Sequence, residues 1–116
     1  MMHAEDIRTY CLQKKEVTES FPFDEHTLVF KVAGKMFLLL PLDETLLAFN
    51  AKNTPEKSIE LREQFTNIQP GFHMNKLHWN TIHVNDEIPT QLIYELIDDS
   101  YNLVVAKLPK KVKANW

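Results

Sequence analysis

The sequence holds one cysteine, two glycines and no long apolar run. A single cysteine, Cys11, excludes an internal disulfide framework and a cysteine-based zinc site. Its plainest role is a small apolar residue in a reducing compartment. Gly34 and Gly71 leave little material for flexible linkers. The densest apolar stretch, Met36 to Leu40, is cut by Pro41, far short of the ~18 residues of a membrane span. The start, MMHAEDIRTYC, carries acids where a secretory leader needs cations and then an apolar block. There is no internal repeat, no G-x-S-x-G elbow, no Walker loop and no G-x-G-x-x-G. These absences predict a cytoplasmic, non-membrane protein without catalysis and without a cofactor.

What is present suits one globular domain. The chain has 116 residues, 44% hydrophobic and 25% charged, enough to build a core without staples. One domain over 1–116 is expected, with a basic tail from about residue 107. Ala4, Ile7, Tyr10 and Cys11 follow helical spacing, with Glu5 and Asp6 at the start and Lys14 and Lys15 at the end to suit the dipole. From Thr27 to Ala51 the pattern alternates. Leu28, Phe30 and Val32, a turn at Gly34, the run Lys35–Leu40 and then Leu46–Ala51 read as an antiparallel meander. Thr54 as cap, Pro55 in first position and Glu56 behind it open a helix carrying Leu61 and Phe65. Pro70-Gly71 ends that unit. Trp79, Thr81 and His83 alternate against Asn80, Ile82 and Val84, predicting a strand over about 78–84. Pro89 opens a last helix whose inward stripe is Ile93, Leu96, Ile97, Ser100, Val104 and Leu108, stopped by Pro109. Grouped strands flanked by helices predict an α+β fold: two layers, a twisted antiparallel sheet with helices packed on one face.

The net charge of −3 argues against strong nucleic-acid binding, but charge is unevenly distributed. No Asp or Glu occurs from Gln64 through Asn85 or after Asp99, and the tail carries Lys107, Lys110, Lys111 and Lys113. Local positive charge is what phosphate contacts respond to. His73, His78 and His83 recur at five-residue steps, a spacing that alternates faces on a strand and does not converge on a metal. No histidine pair has the i,i+4 helical spacing that makes convergence easy, so no metal is expected. Asp98-Asp99 and Asp43-Glu44 are sequence neighbours and do not share a face as paired catalytic carboxylates must. Ser100 on an inward stripe reads as a small residue allowing close packing. Trp79 is expected to be at least half buried rather than a stacking platform for a base.

The segment Pro70-Gly71-Phe72-His73-Met74-Asn75-Lys76-Leu77-His78-Trp79-Asn80-Thr81 resembles the signature of the YjbR/MmcQ family of small bacterial proteins. So do Phe21-Pro22-Phe23 ahead of the first strand, the hairpin Phe30-Lys31-Val32-Ala33-Gly34-Lys35-Met36-Phe37, Pro55 to Arg62, Ser100 to Val104 and Lys107 to Lys111. Ala33 stands where a glycine is common, Asn53 where a cysteine or other small residue is usual, and Asp99 where a histidine is frequent. The resemblance implies a frataxin-like (CyaY-like) fold and a "double wing" DNA-binding role. On that reading Lys31, Lys35 and Lys76 would meet phosphates, and His73, Asn75, His78 and Asn80 would supply hydrogen bonds. Weak, salt-dependent DNA binding by a monomer is the first expectation. A protein-interaction module with no nucleic-acid role is the second.

Overall fold

The alternation at Leu28–Val32 and the run at Lys35–Leu40 become the hairpin around which the molecule is built. The computed structural model describes residues 2–43, 45–71, 74–114 and 116. In chain order the elements are α1 (Ala4–Leu12), β1 (Val17–Ser20), β2 (Thr27–Val32), β3 (Lys35–Pro41), β4 (Ala48–Lys52), α2 (Pro55–Gln64), β5 (Ile68–Pro70), β6 (Trp79–His83), α3 (Thr90–Ala106) and α4 (Lys110–Lys113). The strands form one antiparallel sheet in the order β1-β2-β3-β4-β6-β5. The α+β architecture, with helices on one face of an antiparallel sheet, is as the periodicity predicted. The short strands β1 and β5 and the single turn α4 are additions to that reading. With β1 in place, Phe21–Phe23 precedes the second strand, not the first.

Local chemistry explains the boundaries. Asp6 closes back on the His3 amide at 2.8 Å to start α1. Thr54 Oγ1 accepts the Lys57 N–H at 3.3 Å, with Pro55 at the first position of α2. Ala33 and Gly34 have φ of 48° and 84°, the pairing of positive φ values that a type I′ hairpin turn demands. Between the pairs Phe30↔Leu38 and Lys31↔Met36 the register shifts. The extra residue lets Phe37 and Leu38 both enter the core on the helix side.

That core joins Ile7 and Cys11 of α1, Leu61 of α2 and Ile93, Leu96, Ile97 and Val104 of α3 to Phe30, Phe37, Leu40, Phe49 and Ile82 of the sheet. Burial pushes the Cys11 thiol up to about 12. Ser100 does more than permit close packing. Its buried hydroxyl donates to the Phe37 carbonyl and accepts the Lys52 N–H at 2.8 Å. It thereby satisfies two strand groups beside the point where the β3–β4 pairing ends at Leu38↔Ala51. Among the described residues no helix packs on the opposite face of the sheet. A smaller cluster of Val29, Leu39 and Trp79, flanked by Met36 and Met74, lies there.

Candidate nucleic-acid interface

Lys31 and Lys35 sit on the β2–β3 hairpin, Lys35 exposed and Lys31 half-buried on the helix-free face beside Met36. The hairpin does not project as a free wing. β1 pairs with it up to Val17↔Val32, and the Ala33 N–H donates to the Glu16 carbonyl at 3.1 Å. Across the sheet, Lys52 pairs with Trp79, its ammonium 5.7 Å from the ring centroid. Burial first, and Lys107 second, lower the Lys52 pKa. The Trp79 ring is 5% exposed, as expected, and offers no face for base stacking. A Cβ on Gly71 would lie 2.8 Å from the Trp79 Cβ, so the loop closes over that side chain only because residue 71 is glycine.

The loop before β6 commits most of its described polar groups to local hydrogen bonds. Asn75 Oδ1 accepts the Leu77 N–H at 2.8 Å, which shapes the turn. The Lys76 ammonium donates to the Gly71 carbonyl at 3.0 Å. Asn80 is 2% exposed, and its Oδ1 accepts Arg62 Nε at 2.7 Å. Arg62 also donates to the backbone carbonyls of Lys76 and Trp79. One guanidinium thus ties α2 to the loop and to β6. Arg62 lies 14 to 18 residues from these partners, so no sequence spacing announces it. His78 is half-buried, its Nδ1 is buried without a hydrogen-bond partner, and its carbonyl accepts the Asn53 N–H. His73 lies outside the described residues. The structure therefore brings Lys31 and Lys35 together. It sets Lys76 in the loop before β6, three strand spacings from β2 and two from β3, about 14 and 10 Å at ordinary strand spacing, and commits Asn75, Lys76 and Asn80 to local bonds.

A larger grouping emerges around the hairpin. The α1–β1 turn reaches it through Glu16. The second half of α3 reaches it through Ser100 on Phe37 and the Tyr101 ring edge-on to Phe37 at 5.4 Å. The chain after α3 folds back so that Lys15 lies over the Trp116 ring. Lys14, Lys15, Lys31, Lys35, Lys52, Lys107, Lys110, Lys111 and Lys113 consequently lie toward one end of the molecule, with Glu16, Glu19, Glu56, Asp98 and Asp99 near them among the described residues. Asp98 is taken up by Lys14 and Tyr10, and Asp99 accepts from Asn53. The other end carries Glu5, Asp6, Asp24, Glu25, Asp43, Asp86 and Glu87 in the first turn of α1 and in loops joined by Leu42 N–H to His26 and Val84 N–H to Leu47. Among the described residues no three His, Cys, Asp or Glu side chains gather as metal ligands would. No described helix is long and apolar enough to cross a membrane.

The family model described as YjbR matches residues 12–103. The chain is 36% identical over 107 residues to a protein of Escherichia coli O157:H7 named uncharacterized protein YbdF, covering 92% of this chain and 88% of that one. It is 31% identical over 110 residues to the YjbR protein of Escherichia coli K12, covering 95% and 93%. Among solved structures, the Deinococcus radiodurans protein DR2400 superposes with a TM-score of 0.87 at 38% identity, over 92% of this chain and 81% of that one.

Proposed function

The chain belongs to the YjbR family, and from that premise we propose that it is a non-catalytic module whose lysine-bearing end docks the phosphate backbone of nucleic acid. The observation that carries this reading is the gathering of nine lysines at one end of a chain whose net charge is −3. Such an asymmetry orients the molecule in the field of a polyanion, where uniform acidity would repel it. The six-stranded sheet presents an edge of about 24 Å at that end, roughly seven base pairs of duplex. A hairpin flanked by β1 to its last pair suits lying along phosphates more than entering a groove. The buried Trp79 ring and the inward-turned Asn80 supply no base contacts. Binding is therefore weak and independent of sequence.

Equilibrium binding to duplex DNA across a salt series tests this. Five lysine contacts give a slope of log K against log salt of about −4 to −5. Lys31→Gln with Lys35→Gln flattens it by about two units while leaving stability unchanged. No binding at low salt and high-micromolar protein refutes the proposal. So does binding that survives the hairpin change and vanishes when Lys110, Lys111 and Lys113 are neutralised, which marks a nonspecific basic tail.

A further inference from the structure

We propose that the helix-free face of the sheet carries a second docking site, distinct from the lysine-bearing end: a groove for a short extended segment of a partner protein whose side chains are apolar and basic. The groove has a volume of about 950 Å³ and crosses β3, β4, β6 and β5. Leu39 and Ala48 form its floor. Its walls are Phe23 and Leu46, two large apolar side chains that are 64% and 77% exposed. Isolated exposed apolar residues are ordinary. Two that line one groove with an apolar floor leave apolar surface in water, and covering it is favourable.

Three features choose the occupant. The groove spans three strand spacings, about 14 Å, the length of roughly four extended residues. Asn50 in its middle accepts the Thr81 hydroxyl on Oδ1. Its amide N–H groups have no partner among the described residues and are free to donate to a backbone carbonyl laid over the sheet. Among the described residues the lining holds Asp24 and Asp43, with His26 and His83 and no Lys or Arg. Asp24 accepts the His26 and Thr27 N–H groups at 2.8 and 2.6 Å, which hold its carboxyl below the usual range and keep it ionised. The end of the molecule beyond it is the acidic one. Charge complementarity therefore selects lysine or arginine in the bound segment and disfavours glutamate. The face opposite α1 and α3 can be occupied while the hairpin end holds a polyanion, so one chain can join the two.

The test titrates capped pentapeptides, apolar at alternate positions and carrying lysine, serine or glutamate between, onto the full isotope-labelled chain, and follows backbone amide shifts. The lysine peptide should saturate and move the amides of His26, Leu46, Ala48 and His83. Replacing its lysines by serine should weaken binding roughly threefold, the scale of an exposed ion pair, and glutamate should weaken it further. Leu46→Ser should weaken it about tenfold by removing one apolar wall. Asp43→Asn should reduce the preference for lysine over serine, Asp24 supplying the remainder. Both residues are exposed, so both variants should keep the native spectrum. The proposal is overturned if the glutamate peptide binds as well, if the shifts fall on Lys31 and Lys35, or if no peptide saturates at millimolar concentration. It is also overturned if the free chain self-associates with the same amides shifting, which would give the groove to a second copy.

Discussion

Ser58 and Ser100 are both fully buried and both helical, and the structure predicts opposite responses to the same substitution. Ser100 Oγ serves Phe37 and Lys52. Ser100→Ala leaves a strand carbonyl and a strand N–H without partners, each costing about 1–3 kcal/mol, so a loss of about 2–4 kcal/mol is expected. Ser58 Oγ has no hydrogen-bond partner. Ser58→Ala removes a buried unsatisfied hydroxyl and improves helix propensity by a few tenths, so a gain of about 0.5–1 kcal/mol is expected. Urea unfolding followed by the fluorescence of buried Trp79 reads both, provided the denaturant slope is unchanged. In thermal unfolding Ser100→Ala should lower Tm by roughly 10–15 °C in a chain of this size. A loss below about 1 kcal/mol for Ser100→Ala would refute the claim that this hydroxyl substitutes for strand pairing. So would equal shifts in the two variants.

Other consequences follow from the same geometry. Ala33 holds φ of 48° without being glycine, so Ala33→Gly should stabilise by about 1 kcal/mol, whereas Gly34→Ala at φ 84° should cost about 1–2 kcal/mol; differential scanning calorimetry distinguishes the signs. Trp79→Ala should cost about 3–5 kcal/mol, and a variant as stable as the parent would contradict its place beneath Lys52. The Cys11 thiol, pushed to about 12 by burial, stays protonated in the fold while the unfolded chain ionises near its ordinary value. Its contribution is therefore complete below about pH 8.5 and lost as pH rises toward 12, with a slope of up to about 1.4 kcal/mol per pH unit. Cys11→Ala should remove that slope from an alkaline unfolding series, and the native thiol should react with aromatic disulfide reagents only upon unfolding.

Much of the fold was legible because burial imposes period. The stripe Ile93, Leu96, Ile97, Ser100, Val104 recurs as the buried side of α3. The alternation from Trp79 to His83 is the two-sided burial of β6, and the Thr54-Pro55 start of α2 is a local capping signal. β1 and β5 were illegible for the converse reason. Four residues, Val17–Ser20, and three ending in a proline, Ile68–Pro70, carry too little pattern. They are strands because β2 and β6 present ladders for them to complete.

The site divides along the same line. The segments without carboxylates, the burial of residue 79 and the hairpin shared by Lys31 and Lys35 were legible in the chain, since these depend on neighbouring residues. That Arg62 claims Asn80 and the carbonyls of Lys76 and Trp79 follows from packing alone, because a guanidinium bonds whatever the seating of α2 brings within reach. Packing likewise decided that lysines from residue 14 to residue 113 would meet at one end and carboxylates at the other. Every second antiparallel reversal returns the chain to the same end of the sheet, and charges placed at alternate turns accumulate there at any separation in sequence.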